Sequence, residues 1–542
     1  MLKLDFNERC EGTPYWATQA MSTLDLSSLW RYPDRQPLEQ KIAERFGVGA
    51  AQVLATNGGD EGIDLVLRLA KRERRNLLLP LPAFSMYRIT AARNDVSVVT
   101  VDGLPDRRIN LDGLTKPLQA TGQLLTLTSP NNPTGEVLAR DKVRQLLLQA
   151  RAFGNPVLMD EAYAEFSGES VLDLIAEFDN LIVLRSFSKA FGLAGLRVGC
   201  LIADEKLIAR LRALAPPFNL STPSLVLAQA ACSSAAQTEM QTYCCAVASS
   251  RDALRDELLA LGITVLPSGG NFLLLQLAPV RAELVANFLA RANISVRRFT
   301  EAELNGCLRI TIPVDASRLQ QALLTALQPD LLCLDMDGVL IDTRASYDAC
   351  VQQTVTALGG SEPDLNALQA LRNSGGFNDD WALAQALLKQ QGLDIDYARV
   401  VETFQALYLG TEKTPGLCQR ERAVASAQTV ARFSRQPYAV VTGRPRAEAE
   451  AGVQLCGLQP NRIVSRDDVA KLKPDPEGVL ACKQAFSRNG RVWMVGDSVD
   501  DMRAAVGAGA VAIGIGTDNA DALRAAGADV VIADINALEA LL

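Results

Sequence analysis

The stretch Ser186 to Gly199, SFSKAFGLAGLRVG, puts Lys189 just after two hydroxyls, Ser186 and Ser188, and eight residues before Arg197. A lysine amine is the side chain that condenses with a carbonyl. Small hydroxyls and a permanent cation are suited to a phosphate. Together they fit a phosphorylated aldehyde. A second set of reactive types comes later: DMDGVLIDT from Asp335, VVTGRP from Val440, KLKPDP from Lys471 and GDSVDD from Gly496. These hold two carboxylates two residues apart, a threonine, a lysine and a further carboxylate cluster, among them the hard oxygen ligands that suit a cation such as Mg²⁺.

These groups need rigid supports. LIVL (181–184) reads as a buried strand ending just before Ser186. PVLMDEAYAEF is a strand delivering Asp160 and Tyr163, and LLTLTSPNNPTG is a strand running into a turn that presents Asn132. A helix is expected over about 139–152, and an amphipathic helix over about 38–46 after Pro33 and Pro37. Gly58 and Gly59 precede a periodic helix whose free N–H groups make a phosphate seat. Strand–helix alternation indicates a doubly wound parallel sheet with chemistry at the carboxyl ends of its strands. Residues 204–330 read as a smaller α/β lobe carrying Arg297, Arg298 and Arg309. The pattern restarts at 328–330, giving expected domains 1–328 and 329–542, the second with a helical insert over about 345–435.

SPNNPTG, DEAYAEF, SFSKAFGLAGLRVG and CLRITI (from Cys307) resemble, in order and spacing, the fold-type-I pyridoxal-phosphate aminotransferases. With RYPD (from Arg31) and GGDEG (from Gly58), they most resemble the histidinol-phosphate branch of that family. The resemblance implies that Lys189 carries pyridoxal 5'-phosphate and shuttles a proton. Asp160 would pair with the ring nitrogen, and Tyr163 and Asn132 with the ring oxygen. Ser186, Ser188, Arg197, Gly59 and Asp60 would hold the phosphate, and Phe84, where the family usually has tyrosine, would stack on the ring. Arg309 and Arg297 would bind the anionic end of the substrate. Tyr32 would reach the cofactor phosphate of a second copy, implying a homodimer. NERCEGTPY, ending at Tyr15, departs from the family's Asn-Glu-Asn-Pro run, and the resemblance implies a substrate contact at Tyr15.

The later motifs resemble, in order, the four motifs of the haloacid-dehalogenase-like hydrolases. That resemblance implies a Rossmann-like domain with a helical cap and Mg²⁺. Asp335 would be the nucleophile and Asp337 the acid/base. Thr442 would donate to the phosphate, and Lys473 would neutralise charge, with Lys471 the alternative. The metal would be held by Asp335, the Asp337 carbonyl and Asp497, supported by Asp501 or, alternatively, Asp500. The cap loop NSGGFNDDW (from Asn373) is the candidate for specificity, with a plain solvated turn as the competing reading.

Both resemblances together imply an amino-group exchange between glutamate and imidazole-acetol phosphate, giving histidinol phosphate, followed by its hydrolysis to histidinol. An aminotransferase or decarboxylase for another amino acid, such as an aromatic one, or another phosphorylated amine, beside a general small-molecule phosphatase, is the alternative.

Composition sets limits. The 542 residues carry a formal net charge of −8 with no basic run, which disfavours nucleic-acid binding. No apolar run is long enough for a membrane. The start, MLKLDFNERC, lacks an apolar signal region, and eleven cysteines without a CxxC pair suit a reducing compartment, so a cytoplasmic location is expected. There is no histidine, which removes Ser-His-Asp and Cys-His chemistry and leaves proton transfer to Lys, Asp, Glu, Tyr or Cys.

Overall fold

The computed structural model describes residues 1–377, 379–411 and 414–542. The chain forms two compact units: Met1–Leu277 with Asn293–Arg318, and Ala278–Ala292 with Leu319–Leu542.

The first unit is built on a seven-stranded sheet in the order Val53–Thr56, Gly199–Ala203, Leu181–Ser186, Val157–Asp160, Gln123–Thr128, Asn76–Pro80, Val98–Val101. Gly199–Ala203 runs antiparallel to both neighbours, and the remaining strands share one direction. Five of the seven strands are buried along their whole length and read as continuous apolar runs, as expected where helices cover both faces. The parallel register Asp160↔Leu184 sets the ends of two neighbouring strands level, so Asp160 and the chain leading to Lys189 emerge at one edge. The helix expected over about 38–46 begins earlier, at Gln36, because Pro37 sits in its first turn where no N–H is needed. The helix expected over 139–152 is Arg140–Ala152. A second sheet, in the order Leu2–Leu4, Ile294–Arg298, Cys307–Thr311, Phe272–Gln276, Thr264–Val265, carries Arg297 and Arg309 at paired positions.

The second unit has a six-stranded sheet, all parallel, in the order Arg462–Val464, Tyr438–Val441, Leu331–Leu334, Val492–Gly496, Val511–Ile515, Val530–Ile532. Its central strand, Leu331–Leu334, ends one residue before Asp335. The buried Trp493 donates its indole N–H to the Thr325 carbonyl at 2.7 Å, satisfying the polar atom of a large core side chain. Between Ile341–Asp342 and its partner Arg422–Ala423 the chain leaves the sheet for helices Ala349–Ala357, Leu365–Ser374, Asp380–Gln390 and Tyr397–Leu409. These helices enclose a core of their own, including Val351, Leu383, Leu388 and Phe404. Helix Ala427–Phe433, within the stretch expected as insert, bonds through Thr429 to Asn536 and Glu539 beside the sheet. Among the described residues no helix is long and apolar enough to cross a membrane.

Candidate active sites

In the first unit one cavity of about 660 Å³ is lined by Gly59, Asp60, Phe84, Asn132, Asp160, Tyr163, Ser186, Ser188, Lys189, Arg197, Arg297 and Arg309. Lys189 Nζ donates to the Phe6 carbonyl at 2.9 Å and lies 5.8 Å from the Tyr163 ring centre. The Tyr163 hydroxyl accepts from Asn7 Nδ2 at 3.0 Å. Arg309 donates from Nη1 to Asn132 Oδ1 at 2.5 Å and from Nη2 to the Asp5 carbonyl at 2.6 Å. Its buried Nε finds no acceptor among the described residues, an uncompensated donor at the cavity wall.

The anion seat is a backbone construction. Gly58 opens helix Gly58–Arg72 at φ +74°, and Arg197 turns at φ +54°. Gly199 passes so close that a Cβ would lie 2.9 Å from the Gly58 carbonyl carbon, so only glycine lets this strand hold Arg197 against the helix start. There Arg197 Nη2 meets Asp60 Oδ2 at 2.7 Å. First-turn N–H groups, two serine hydroxyls and a guanidinium make a site for a phosphate.

Asp160 is almost fully buried, and burial pushes its carboxyl up to about 6 against the donation of Tyr87 and the Ala162 N–H. The Tyr87 hydroxyl donates to Oδ2 at 2.7 Å. Neither donor is a cation, so a protonated ring nitrogen is the kind of partner this carboxylate is missing. An amine, a buried acid lacking a cation and an anion seat around one cavity fit pyridoxal phosphate.

Tyr87 and Asn7 were missed by sequence reasoning. Tyr87 sits on a short helix, Met86–Arg93, with nothing in its local pattern to mark it. Tyr15 and Tyr32 are not brought into this cavity by their own chain. Tyr15 is 70% exposed, and Tyr32, 80% exposed, stacks on Phe218 with ring centres 4.4 Å apart.

In the second unit Asp335, Asp497 and Asp501 offer carboxylate oxygens within 4.8 Å of one another. Lys473 Nζ lies 2.6 Å from Asp335 Oδ1, 2.5 Å from Asp501 Oδ1 and 3.1 Å from the Val441 carbonyl. Burial alone would push Lys473 down, but Asp335 and Asp501 outweigh it and keep the amine protonated. Burial and the neighbouring carboxylates raise Asp335 and Asp497. Three carboxylates, Asp335 and Asp501 buried and Asp497 half-buried, around one ammonium leave an excess of negative charge that a divalent cation with oxygen ligands would neutralise, so the residues fit Mg²⁺.

The alternatives separate cleanly. Lys471 is 75% exposed and pairs with Asp475, whereas Lys473 is buried at the cluster. Asp501 caps its own helix, accepting from the Ser498 N–H and hydroxyl, and turns inward. Asp500 faces the cap loop and accepts from the Gly376 N–H at 2.8 Å. That contact ties the candidate specificity loop to the helix Val499–Gly507 that carries Asp501, although Asn378 of the loop lies outside the described residues. Thr442 is buried at the end of strand Tyr438–Val441, its hydroxyl accepting from the Arg444 N–H at 3.2 Å.

Gly338, at φ +70°, faces the Asp497 carboxylate, and a Cβ there would collide with it. Gly338→Ala is therefore expected to raise the Mg²⁺ concentration for half-maximal hydrolysis about tenfold or more, the scale seen when a metal ligand loses its support. A metal titration checks this, and an unchanged midpoint would contradict the ligand assignment.

Residues 1–325 match the family model for class I and II aminotransferases, and residues 329–509 match that for haloacid dehalogenase-like hydrolases. A histidinol-phosphate aminotransferase of Roseiflexus castenholzii is 33% identical over 324 residues, 58% of this chain and 85% of the relative. That of Xanthomonas euvesicatoria is 37% identical over 318 residues, 56% and 85% of the two chains. The crystal structure of histidinol-phosphate aminotransferase from Sinorhizobium meliloti in complex with pyridoxal-5'-phosphate superposes with a TM-score of 0.54 at 25% identity, covering 59% of this chain and 88% of that one. The fold of the Clostridium acetobutylicum histidinol-phosphate aminotransferase is also shared, with a TM-score of 0.55 over 60% of this chain and 98% of that one.

Proposed function

Because this chain belongs to the class I and II aminotransferases, related to the histidinol-phosphate aminotransferases, and continues into a haloacid-dehalogenase-like hydrolase, we propose that it catalyses two consecutive reactions. Residues 1–328 would exchange an amino group between glutamate and imidazole-acetol phosphate, giving histidinol phosphate. Residues 329–542 would then hydrolyse histidinol phosphate to histidinol. The observation that carries the reading is the pairing in one chain of a relative of enzymes named for a phosphate monoester with a hydrolase-family domain whose carboxylates could hold a metal beside a buried lysine.

When bound, pyridoxal phosphate supplies an electron sink for charge developing at the substrate carbon. The chain's own residues do the rest. Lys189 Nζ anchors the cofactor and then takes and returns the substrate-carbon proton, a task no histidine can share here. Asp160 keeps the ring nitrogen protonated, and Tyr163 and Asn132 orient the ring oxygen. Ser186, Ser188, Arg197 and the Gly59–Asp60 backbone fix the phosphate, with Phe84 against the ring. Arg309, whose Nε is free of an acceptor among the described residues, takes the substrate's anionic group with Arg297.

In the second unit an Asp335 oxygen attacks phosphorus, and the bond to the leaving oxygen breaks as Asp337 gives that oxygen its proton. Water then attacks phosphorus, its proton passes to Asp337, and the Asp335–phosphorus bond breaks. Thr442 and Lys473 hold the phosphoryl oxygens. Mg²⁺ held by Asp335, the Asp337 carbonyl, Asp497 and Asp501 would lower the repulsion between anions.

The aminotransferase unit acts as a homodimer in this reading. It leaves Leu26, Leu29, Trp30 and Tyr32 exposed together at its N-terminal end, a surface for a second copy that would bring Tyr32 to the opposite cavity. Sedimentation at twice the chain mass is expected, and a strict monomer with full transaminase activity would refute it. The first reaction is checked by supplying glutamate and imidazole-acetol phosphate and following 2-oxoglutarate. Turnover confined to aromatic 2-oxo acids, or decarboxylation of a phosphorylated amino acid instead, would overturn the substrate assignment.

A further inference from the structure

The segment that carries Thr442 holds a second group with no part in the account above. Arg444 is buried at the junction between the sheet and the helical cap. Its Nε and Nη2 both donate to Oδ1 of Asp337, at 2.8 and 2.6 Å. Nη1 and Nη2 donate to Glu421 at 3.0 and 2.9 Å, and Nη1 also reaches the Tyr408 hydroxyl at 3.2 Å. The guanidinium carbon lies 4.7 Å from the centre of the Tyr347 ring. All five N–H groups of the fork are thus engaged. Glu421 in turn accepts from Ser346 Oγ and Tyr408, beside the paired strands Ile341–Asp342 and Arg422–Ala423 through which the chain enters and leaves the cap.

A buried arginine can simply cement such a junction, and Glu421 alone would satisfy that role. The contact with Asp337 is different in kind. It takes two donors on one edge of the fork and spends both on one carboxylate oxygen. No described donor reaches Oδ2, and the Asp337 side chain keeps 30% of its surface exposed. With Oδ1 pinned, the carboxyl plane is set and Oδ2 is the oxygen left to carry a proton.

We propose that Arg444 is a positioning residue for the hydrolytic reaction: it fixes Asp337 so that Oδ2 passes the proton in both half-reactions, and through Glu421 it makes that orientation depend on the seating of the cap. The inference rests on the phosphatase reading above. Removing the fork frees Asp337 to rotate while leaving Asp335, Lys473 and the metal carboxylates in place. Proton transfer then fails, whereas phosphate binding and nucleophilic attack survive.

The test compares full-length wild type with Arg444→Met and Arg444→Lys on p-nitrophenyl phosphate and phenyl phosphate with Mg²⁺. The esters have similar shape but leaving groups of different basicity. On p-nitrophenyl phosphate Arg444→Met is expected to lower kcat about 100-fold, the low end of a general acid–base contribution, with KM falling alongside it and kcat/KM nearly unchanged, because hydrolysis of the Asp335 phosphoester becomes rate-limiting. p-Nitrophenyl phosphate should show a burst of about one p-nitrophenol per site, since its leaving group needs no proton and the loss falls on water attack. Phenyl phosphate should show a slowed burst. Arg444→Lys, which keeps the charge without the fork, should fall between. A loss in KM alone, equal losses without a burst, or wild-type rates would overturn the proposal. If Arg444→Met fails to fold, Glu421→Gln carries the test: about a tenfold loss of kcat with the same burst is expected, and unchanged kcat would refute the link to the cap. A wild type inert to every phosphate ester would strike the phosphatase reading itself, whereas an active wild type without the burst pattern strikes this inference alone.

Discussion

Lys189→Ala should lower transamination by about 10⁴-fold or more and leave phosphate-ester hydrolysis at the wild-type rate. Among the described residues lining the first cavity there is no second lysine, and arginine is no substitute for it as a general base. The chain offers no histidine as substitute. Asp160, Arg197 and the helix start remain, so the variant should still bind the cofactor, but with an altered visible spectrum because the amine is gone. Parallel assays of 2-oxoglutarate and inorganic phosphate give the answer. A variant that loses both activities together would mean that the two sites are not independent machines. One that keeps transamination would remove Lys189 from the chemistry.

Asp335→Asn should do the reverse, with hydrolysis falling by roughly 10⁴- to 10⁶-fold, the scale of losing a nucleophile, and transamination unchanged. The amide cannot attack phosphorus and is a poorer metal ligand. Its effect on folding should be small or favourable. Asp335 is buried beside Asp501 and Asp497, and burial together with their mutual repulsion raises Asp335 and Asp497, so in the metal-free protein its charge costs stability. Lys473 keeps Asp501 as its partner. The metal-free thermal midpoint of Asp335→Asn should therefore equal or exceed that of wild type. A marked drop would mean that the Asp335–Lys473 pair stabilises the fold more than the repulsion harms it.

Much of this was legible in the sequence because the reactive residues sit at ends of apolar runs. Asp160 closes a fully buried strand, Lys189 follows another by three residues, and Asp335 follows a third by one. A buried parallel strand announces its own end, and the end is where side chains become free to react. The choice of Asp501 over Asp500 was half-legible too. Ser498 followed three residues later by an acid is a capping box, which fixes the Asp501 side chain at its helix start.

What could not be read depends on contacts between residues far apart in the chain. Tyr87 meets Asp160 across 73 positions, and Arg444 meets Asp337 across 107. Neither has a local pattern that distinguishes it from a core tyrosine or a loop arginine. Tyr15 and Tyr32 were legible as types but not as places. Their rings lie outside their own chain's cavity, and a single chain does not say what covers them. The cap was legible as helical, but the end of the insert was not, because helix Ala427–Phe433 looks like its neighbours and is distinguished only by its bonds to Asn536 and Glu539.

In the proposed reaction sequence the product of the first site is the substrate of the second. The most direct measurement is phosphate release from histidinol phosphate by the purified protein with Mg²⁺ and without 2-oxoglutarate, ranked by kcat/KM against other phosphate monoesters. Rapid release is expected, lost in Asp335→Asn and retained in Lys189→Ala, with histidinol phosphate at the head of the ranking. Brisk hydrolysis of other monoesters with none of histidinol phosphate would contradict it.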